Sequence, residues 1–268
     1  METLINEKEL PIEELKKLGL YQNGQVNMSS EDLEALLVGR RTDIRSLVNL
    51  QLDGITIRQI DAKLSLVRNP DGNVMVNLHP INKEIKSHPL LTEQETLELI
   101  SGELGSVQKE YADADKILKK LIIEYDEQTR EFVAYHPDQV EVPHEVNGEM
   151  LSEKKKKAFQ NGEIVELNDG TKIQHSATDI KGVRSDRKAL ILSVLLDGGI
   201  SYLLLRGLRN LSGSTDPQKE GYTKGYNQAL ADMVFDTKKK EKEVTIGEQM
   251  ATDRQTQQSR GYGRTASR

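Results

Sequence analysis

The sequence predicts an α+β body of tandem short helix-plus-β-hairpin modules. An apolar helical segment and a disordered basic tail are expected to follow it. Two patterns predict this. A hydroxyl residue stands ten positions before a glycine three times, at Ser29/Gly39, Thr92/Gly102 and Ser152/Gly162, with the hydroxyls 63 and 60 residues apart. Between these units, apolar and polar residues alternate around turn signals, the period of half-buried antiparallel strands.

Taken in order, Leu10 to Leu20 reads as a short helix, with Pro11 near its first turn and Gly19 as its stop. In each repeat unit, Ser29, Thr92 or Ser152 is an N-cap whose side-chain oxygen accepts from the first free amides. Thr92 with Glu95 makes a capping box, and Ser29 with Asp32 a weaker one. Leu36, Leu99 and Phe159 fall at equivalent positions facing the core, and Gly39, Gly102 and Gly162 are left-handed stops.

The hairpins follow. Leu64-x-Leu66 and Val74-x-Val76-x-Leu78 flank Asn69-Pro70-Asp71-Gly72. Leu121-x-Ile123-x-Tyr125 and Val133-x-Tyr135 flank Asp126 to Thr129, and both hairpins end in His-Pro, at His79-Pro80 and His136-Pro137. A shorter third hairpin, Ile164–Leu167 with Lys172–His175, turns at Asn168-Asp169-Gly170. About two and a half copies fill residues 28–176.

Ala189 to Leu205 reads ALILSVLLDGGISYLLL, with Arg184, Arg187 and Lys188 before it and Arg206 and Arg209 after it. A spanning helix needs about 20 apolar residues, and a central Asp costs roughly 2.5–3.5 kcal/mol on insertion scales. A buried helical pair broken at Gly198-Gly199, or an oligomer interface, is therefore preferred to a membrane span. Residues 212–217 read as a linker and Tyr222 to Phe235 as a short helix. The polar chain after Thr237 lacks the apolar residues to pack. The expected divisions are 1–85 (N-terminal helix and first module), 86–180 (second and partial third modules), 181–211 (apolar segment) and 212–268 (linker, short helix and tail).

Composition narrows function. The 268 residues hold no Cys, which removes disulfides, thiolate metal sites and cysteine nucleophiles. No phosphate-binding glycine loop, nucleophile elbow or H-E-x-x-H is present. His79, His88, His136, His144 and His175 are scattered, with no carboxylate at ligand spacing beside the repeated His79 and His136. No enzyme activity, cofactor, metal or small-molecule substrate is expected. The net charge of −6 divides into −10 over residues 1–205 and +4 over 206–268. The N-terminus carries no basic stretch leading into an apolar run, so no leader is expected. A cytoplasmic location is expected, with peripheral or membrane association through 189–205 as the alternative.

Basic clusters are the candidate contacts for nucleic acid: Arg40, Arg41 and Arg45 after the first stop, then Arg184, Arg187 and Lys188, then Arg260, Arg264 and Arg268 in the Arg-Gly-Tyr tail. The candidate interaction or membrane segment comprises Leu192, Leu195, Leu196, Gly198, Gly199, Leu203 and Leu204. Each has a plainer reading: solvated or locally paired charge for the first group, core for the second.

Leu15-x-x-Leu18-Gly19-Leu20, Leu36-Leu37-x-Gly39-Arg40-Arg41-Thr42, Asp61-Ala62-x-Leu64-Ser65-Leu66 and Asp71-Gly72 through His79-Pro80, with His88-Pro89-Leu90-Leu91-Thr92 and Gly102-Glu103 beyond, carry a likeness. Together they resemble the paired domains of unknown function in proteins of conjugative transposons and other mobile elements of gut Bacteroidetes. More loosely, the helix-and-strand unit is similar to the small C-terminal repeat of bacterial type IA topoisomerases. The Lys-rich strand turn of that repeat is mostly missing here, and so is any topoisomerase catalytic domain. The resemblance implies an accessory protein that binds DNA or a DNA-processing partner of topoisomerase or relaxase context, with no catalytic residues to transfer. The alternative is a protein-interaction or membrane-associated scaffold acting through 189–205, including a homo-oligomer.

Overall fold

In the computed structural model, which describes residues 5–52, 55–113, 115–196 and 199–238, the hydroxyl-to-glycine pattern becomes three capped helices. Each leads into a three-stranded antiparallel meander. The first module begins with α1 (Ile12–Lys17) and a two-residue hairpin, β1 (Tyr21–Gln22) and β2 (Gln25–Val26). Then come α2 (Ser30–Leu37), β3 (Arg45–Leu52), β4 (Ile55–Arg68) and β5 (Val74–Pro80). The second comprises α3 (Glu93–Ser101), β6 (Val107–Ala112), β7 (Leu118–Asp126) and β8 (Glu131–Tyr135). The third opens with the hairpin β9 (Glu145–Val146) and β10 (Glu149–Met150). It continues through α4 (Glu153–Gln160), β11 (Val165–Glu166), β12 (Lys172–His175) and β13 (Val183–Ser185).

The helix signals act as the sequence requires. Ser29, Thr92 and Ser152 accept from the amides of Asp32, Glu95 and Lys155, and Thr92 with Glu95 closes a full capping box. Gly39, Gly102 and Gly162 all take φ between +72° and +77°. Leu36, Leu99 and Phe159 are buried.

Each expected hairpin gains a strand on one edge: β3 before the first, β6 before the second and β13 after the third. β4 is the longest, pairing its first half with β3 and its second with β5, so that Ala62 lies opposite both Arg45 and Pro80. Asn49, at φ +55°, interrupts the β3–β4 ladder between Val48–Gln59 and Leu50–Ile57 without shifting its register. Two further hairpins turn on Asn-Gly, at Asn23-Gly24 and Asn147-Gly148. All four residues hold positive φ, as a type I′ turn demands.

The apolar segment differs from expectation. Residues 189–205 form no helix. They are a β-hairpin, β14 (Ala189–Leu196) and β15 (Gly199–Arg206), joined through β9 into a four-stranded sheet β10-β9-β14-β15. The reason is burial of both faces. Leu192 and Leu203, paired across the ladder, face the core around Phe159, Val146 and Leu205. Ile191 and Leu204, the next pair, face Tyr226 and Ala229 of α5 (residues 224–238). A strand covered on both sides reads as a continuous apolar run, which periodicity cannot separate from a buried helix. The ladder runs to its last pair, Leu196 with Gly199. No helix among the described residues is long and apolar enough to cross a membrane.

The helix α5 is fixed at its start. Thr223 accepts from the Tyr226 amide at 3.0 Å and donates to Asp169, whose carboxylate also takes Asn147 Nδ2 at 3.2 Å. The three cores are that of the first module around Leu15, Leu36 and Leu64, that of the third around Phe159 and Ile173, and the small one under α5.

Candidate functional site

The three modules meet at one polar hub, and the Gly39-Arg40-Arg41-Thr42 run is its origin. Gly39 turns the chain out of α2 in the left-handed region. Thr42 is buried and exchanges two 2.9 Å bonds with the Leu64 backbone, its amide donating to the carbonyl and its hydroxyl accepting from the amide. Arg41 crosses to the second module, where it pairs with Glu131 and lies 3.7 Å from Asp126. Arg40 reaches the third module and lies over Gly182, where an added Cβ would stand 2.6 Å from its Nη1. Burial lowers the Arg40 pKa, and the fields of Glu34, Glu141 and Asp179 oppose that effect. Arg45 stays within its own module, 2.7 Å from Asp32 and 3.2 Å from the Asn27 carbonyl.

Around these residues lies a buried charge network. Lys63 Nζ donates to both Asp126 oxygens at 2.8 and 3.0 Å and to the Thr178 carbonyl at 2.9 Å, joining all three modules through one ammonium. Glu124 is 1 % exposed and accepts from Tyr135 Oη at 2.8 Å, Ser176 Oγ at 2.9 Å and the Ala177 amide at 3.2 Å. Such a carboxylate is tolerated in the interior because its lone pairs are taken.

Ser65 Oγ lies 2.8 Å from His79 Nε2, and His79 Nδ1 lies 3.3 Å from Glu131 Oε1. The order is that of a hydrolytic triad. The setting is different: Ser65 is 8 % exposed on the middle strand of its sheet, and it lines neither cleft described next. Burial would raise the Glu131 pKa. The His79 bond and the Arg41 charge outweigh it and bring the group to about 2. These three residues are part of the hub.

Two clefts flank the outer side of the hub. One, of about 80 Å³, runs between Glu31 and Glu34 of α2 and the Leu203–Arg206 end of β15, with Lys181 at its wall. The other, of about 260 Å³, lies between the C-terminal end of α3, Tyr125 and the Asn210–Ser212 segment, with Arg184 and Arg209 in its wall. The turn 179–182 and the segment 206–209 form the ridge between them. Lys181 Nζ donates to the Arg206 carbonyl at 2.5 Å, and Arg209 Nε lies 3.6 Å from Asp179. Arg206 and Arg209 are exposed, and Arg184 stands behind them with its guanidinium held by Ser212 and by Thr178 Oγ1 at 3.0 Å. Among the described residues, Asp179 is the one carboxylate within ion-pair distance of Arg209, and no three metal-ligating side chains cluster.

Residues 5–89 match the family model described as a protein of unknown function (DUF4099). No curated protein and no solved structure matches the chain. The DUF4099 stretch ends before α3, so it supplies Arg40, Arg41, Lys63, Ser65 and His79 to the hub. Their partners Gly182, Glu131, Asp126 and Thr178 lie beyond it.

Of the residues singled out in the sequence, Arg40, Arg41 and Arg45, all in the DUF4099 stretch, have their charge matched inside the protein. Arg184 reaches the larger cleft. Arg187 and Lys188, just after β13, are bonded to the Glu220 carbonyl and carboxylate. Leu192, Leu203 and Leu204 are in or against the core, and Leu195, Leu196 and Gly199 belong to the hairpin strands. Gly198, Arg260, Arg264 and Arg268 lie outside the described residues. Lys181, Arg206, Arg209 and Tyr125 were not legible as site residues, because they are isolated in sequence and gathered only by the fold.

Proposed function

We propose that this chain is a non-catalytic binding protein of DNA-processing context, whose nucleic-acid contact is the ridge Lys181–Arg206–Arg209 with Arg184 behind it. The juxtaposition of these cations between two clefts carries the reading. They come from two separated segments, and Arg206 and Arg209 are exposed, as phosphate contacts must be. The likeness to paired domains of mobile elements, and the looser one to the topoisomerase repeat, supports the accessory role. Arg40, Arg41 and Arg45 act instead as internal cations that join the body. The basic tail adds a second, separable contribution.

The test is retention of labelled single- and double-stranded DNA at low salt. With three ridge cations engaged, log affinity should fall against log salt with a slope of about −2 to −3. The double variant Arg206→Glu/Arg209→Glu should lose at least tenfold in affinity and flatten that slope. Removing residues 237–268 should weaken binding separately. Absence of binding to either DNA at low salt, or an unaltered double variant, overturns the reading.

A further inference from the structure

We infer that the larger cleft receives one unpaired nucleotide, so that the favoured ligand of the ridge is single-stranded nucleic acid. This rests on the DNA-binding reading and narrows it. The cleft holds what a stacked base needs. At about 260 Å³ it has room for one planar heterocycle and none for a duplex. Tyr125 lines it, and Phe132 packs against that ring at 5.2 Å between centroids, which fixes its orientation. Leu99 and Leu104 supply apolar wall, and the Glu127 carboxylate can accept from a base edge. Arg209 joins the cleft to the ridge, where the strand's phosphates would run.

The two arginines also stand near the C-terminal end of α3, where cations commonly offset the carbonyl dipoles. That explanation is weaker here. The Gly102 amide bonds the Leu99 carbonyl at 3.2 Å and the Leu104 amide bonds Glu98 at 3.1 Å, so the helix end is already closed. Arg184 turns to Ser212 and Thr178 instead. Its Nε is buried without a hydrogen-bond partner. So is Oε1 of Gln174, a residue that abuts Gly105 beside the cleft.

The experiment compares labelled oligothymidine with a duplex of equal length, using the full chain and its Tyr125→Leu and Tyr125→Phe variants. Single strands should bind more tightly than duplex. Tyr125→Leu should weaken single-strand binding roughly five- to a hundredfold, the worth of one base–aromatic stack, and leave duplex binding unchanged. Tyr125→Phe should bind as the parent does. An oligonucleotide carrying 5-iodouracil should crosslink to Tyr125 in the unsubstituted protein, a readout that does not depend on any variant folding. Equal affinity for both DNA forms, or an unaffected Tyr125→Leu protein of parental melting temperature, overturns the slot and leaves the ridge standing. Failure to bind either DNA overturns both.

Discussion

Lys63 on β4 and Asp126 at the end of β7 form an ion pair whose side chains are 2 % and 1 % exposed, Nζ to Oδ2 at 2.8 Å. Burial pulls the Lys63 pKa down, and the Asp126 charge works against that pull. Removing Lys63 leaves the buried Asp126 charge with only Arg41, 3.7 Å away, to offset it, and breaking a buried pair costs about 3–5 kcal/mol. Lys63→Met should therefore lower unfolding stability in urea by that order. The double variant Lys63→Met/Asp126→Leu should recover a substantial part of the loss. Additive losses would contradict coupling between the two sites.

Gly182 and Arg40 give a second coupled pair. At φ +70°, with a would-be Cβ 2.6 Å from Arg40 Nη1, Gly182→Ala meets both backbone strain and a collision. Gly170, at φ +77°, has nothing within 4 Å, so Gly170→Ala meets strain alone. The first substitution should cost about 1–3 kcal/mol and the second about 1 kcal/mol. In an Arg40→Ala background the excess at Gly182 should disappear. Chemical denaturation of the parent, the three single variants and the Arg40→Ala/Gly182→Ala double variant decides this.

Glu131 makes the hub acid-sensitive. Its folded pKa of about 2 lies below the ordinary carboxylate value of 4.5. The stability it contributes is therefore complete above pH 4.5 and lost as pH falls toward 2. Glu131→Gln should be less stable at neutral pH and should lose less stability across that window. Urea midpoints measured from pH 5 to 2.5 check it, and parallel curves for the two proteins would refute it.

His175 acts in a higher window. It is wedged edge-on between Tyr135 and Phe159, with ring centroids at 5.1 and 5.5 Å, and burial lowers its pKa from 6.5. A histidine held neutral favours the folded state above pH 6.5, and stability should drop as pH falls below it. His175→Phe should flatten the stability profile just below pH 6.5 while leaving the acid limb of Glu131 in place. Thermal melting across that range reads the difference.

What was legible in the sequence was local. Helix caps, left-handed stops and the middle and outer strands of the first two meanders are written in residues a few positions apart. The two Asn-Gly turns were equally available, at Asn23-Gly24 and Asn147-Gly148. The β14–β15 hairpin was hidden by its own environment: α5 covers one face and the α4 core the other, so no alternation survives. The hub was hidden by distance. Arg41 and Glu131 are 90 residues apart, and Lys63 and Thr178 are 115 apart. A cation in a sequence looks the same whether it meets water or a buried carboxylate. That is why Arg40 and Arg41 read as a surface patch, and why nothing local sets Arg206 and Arg209 apart.

The Gly39-to-Thr42 run bears on how such modules can be exchanged between proteins. The stretch 5–89 carries the cations Arg41 and Lys63, and their counter-charges Glu131 and Asp126 arrive with the next module. A transplanted first module would bring an electrostatic debt along with its apolar core. Only a neighbour presenting acids at those two places could settle it. The sign of the residues at such a seam thus limits which neighbour the first module can be joined to.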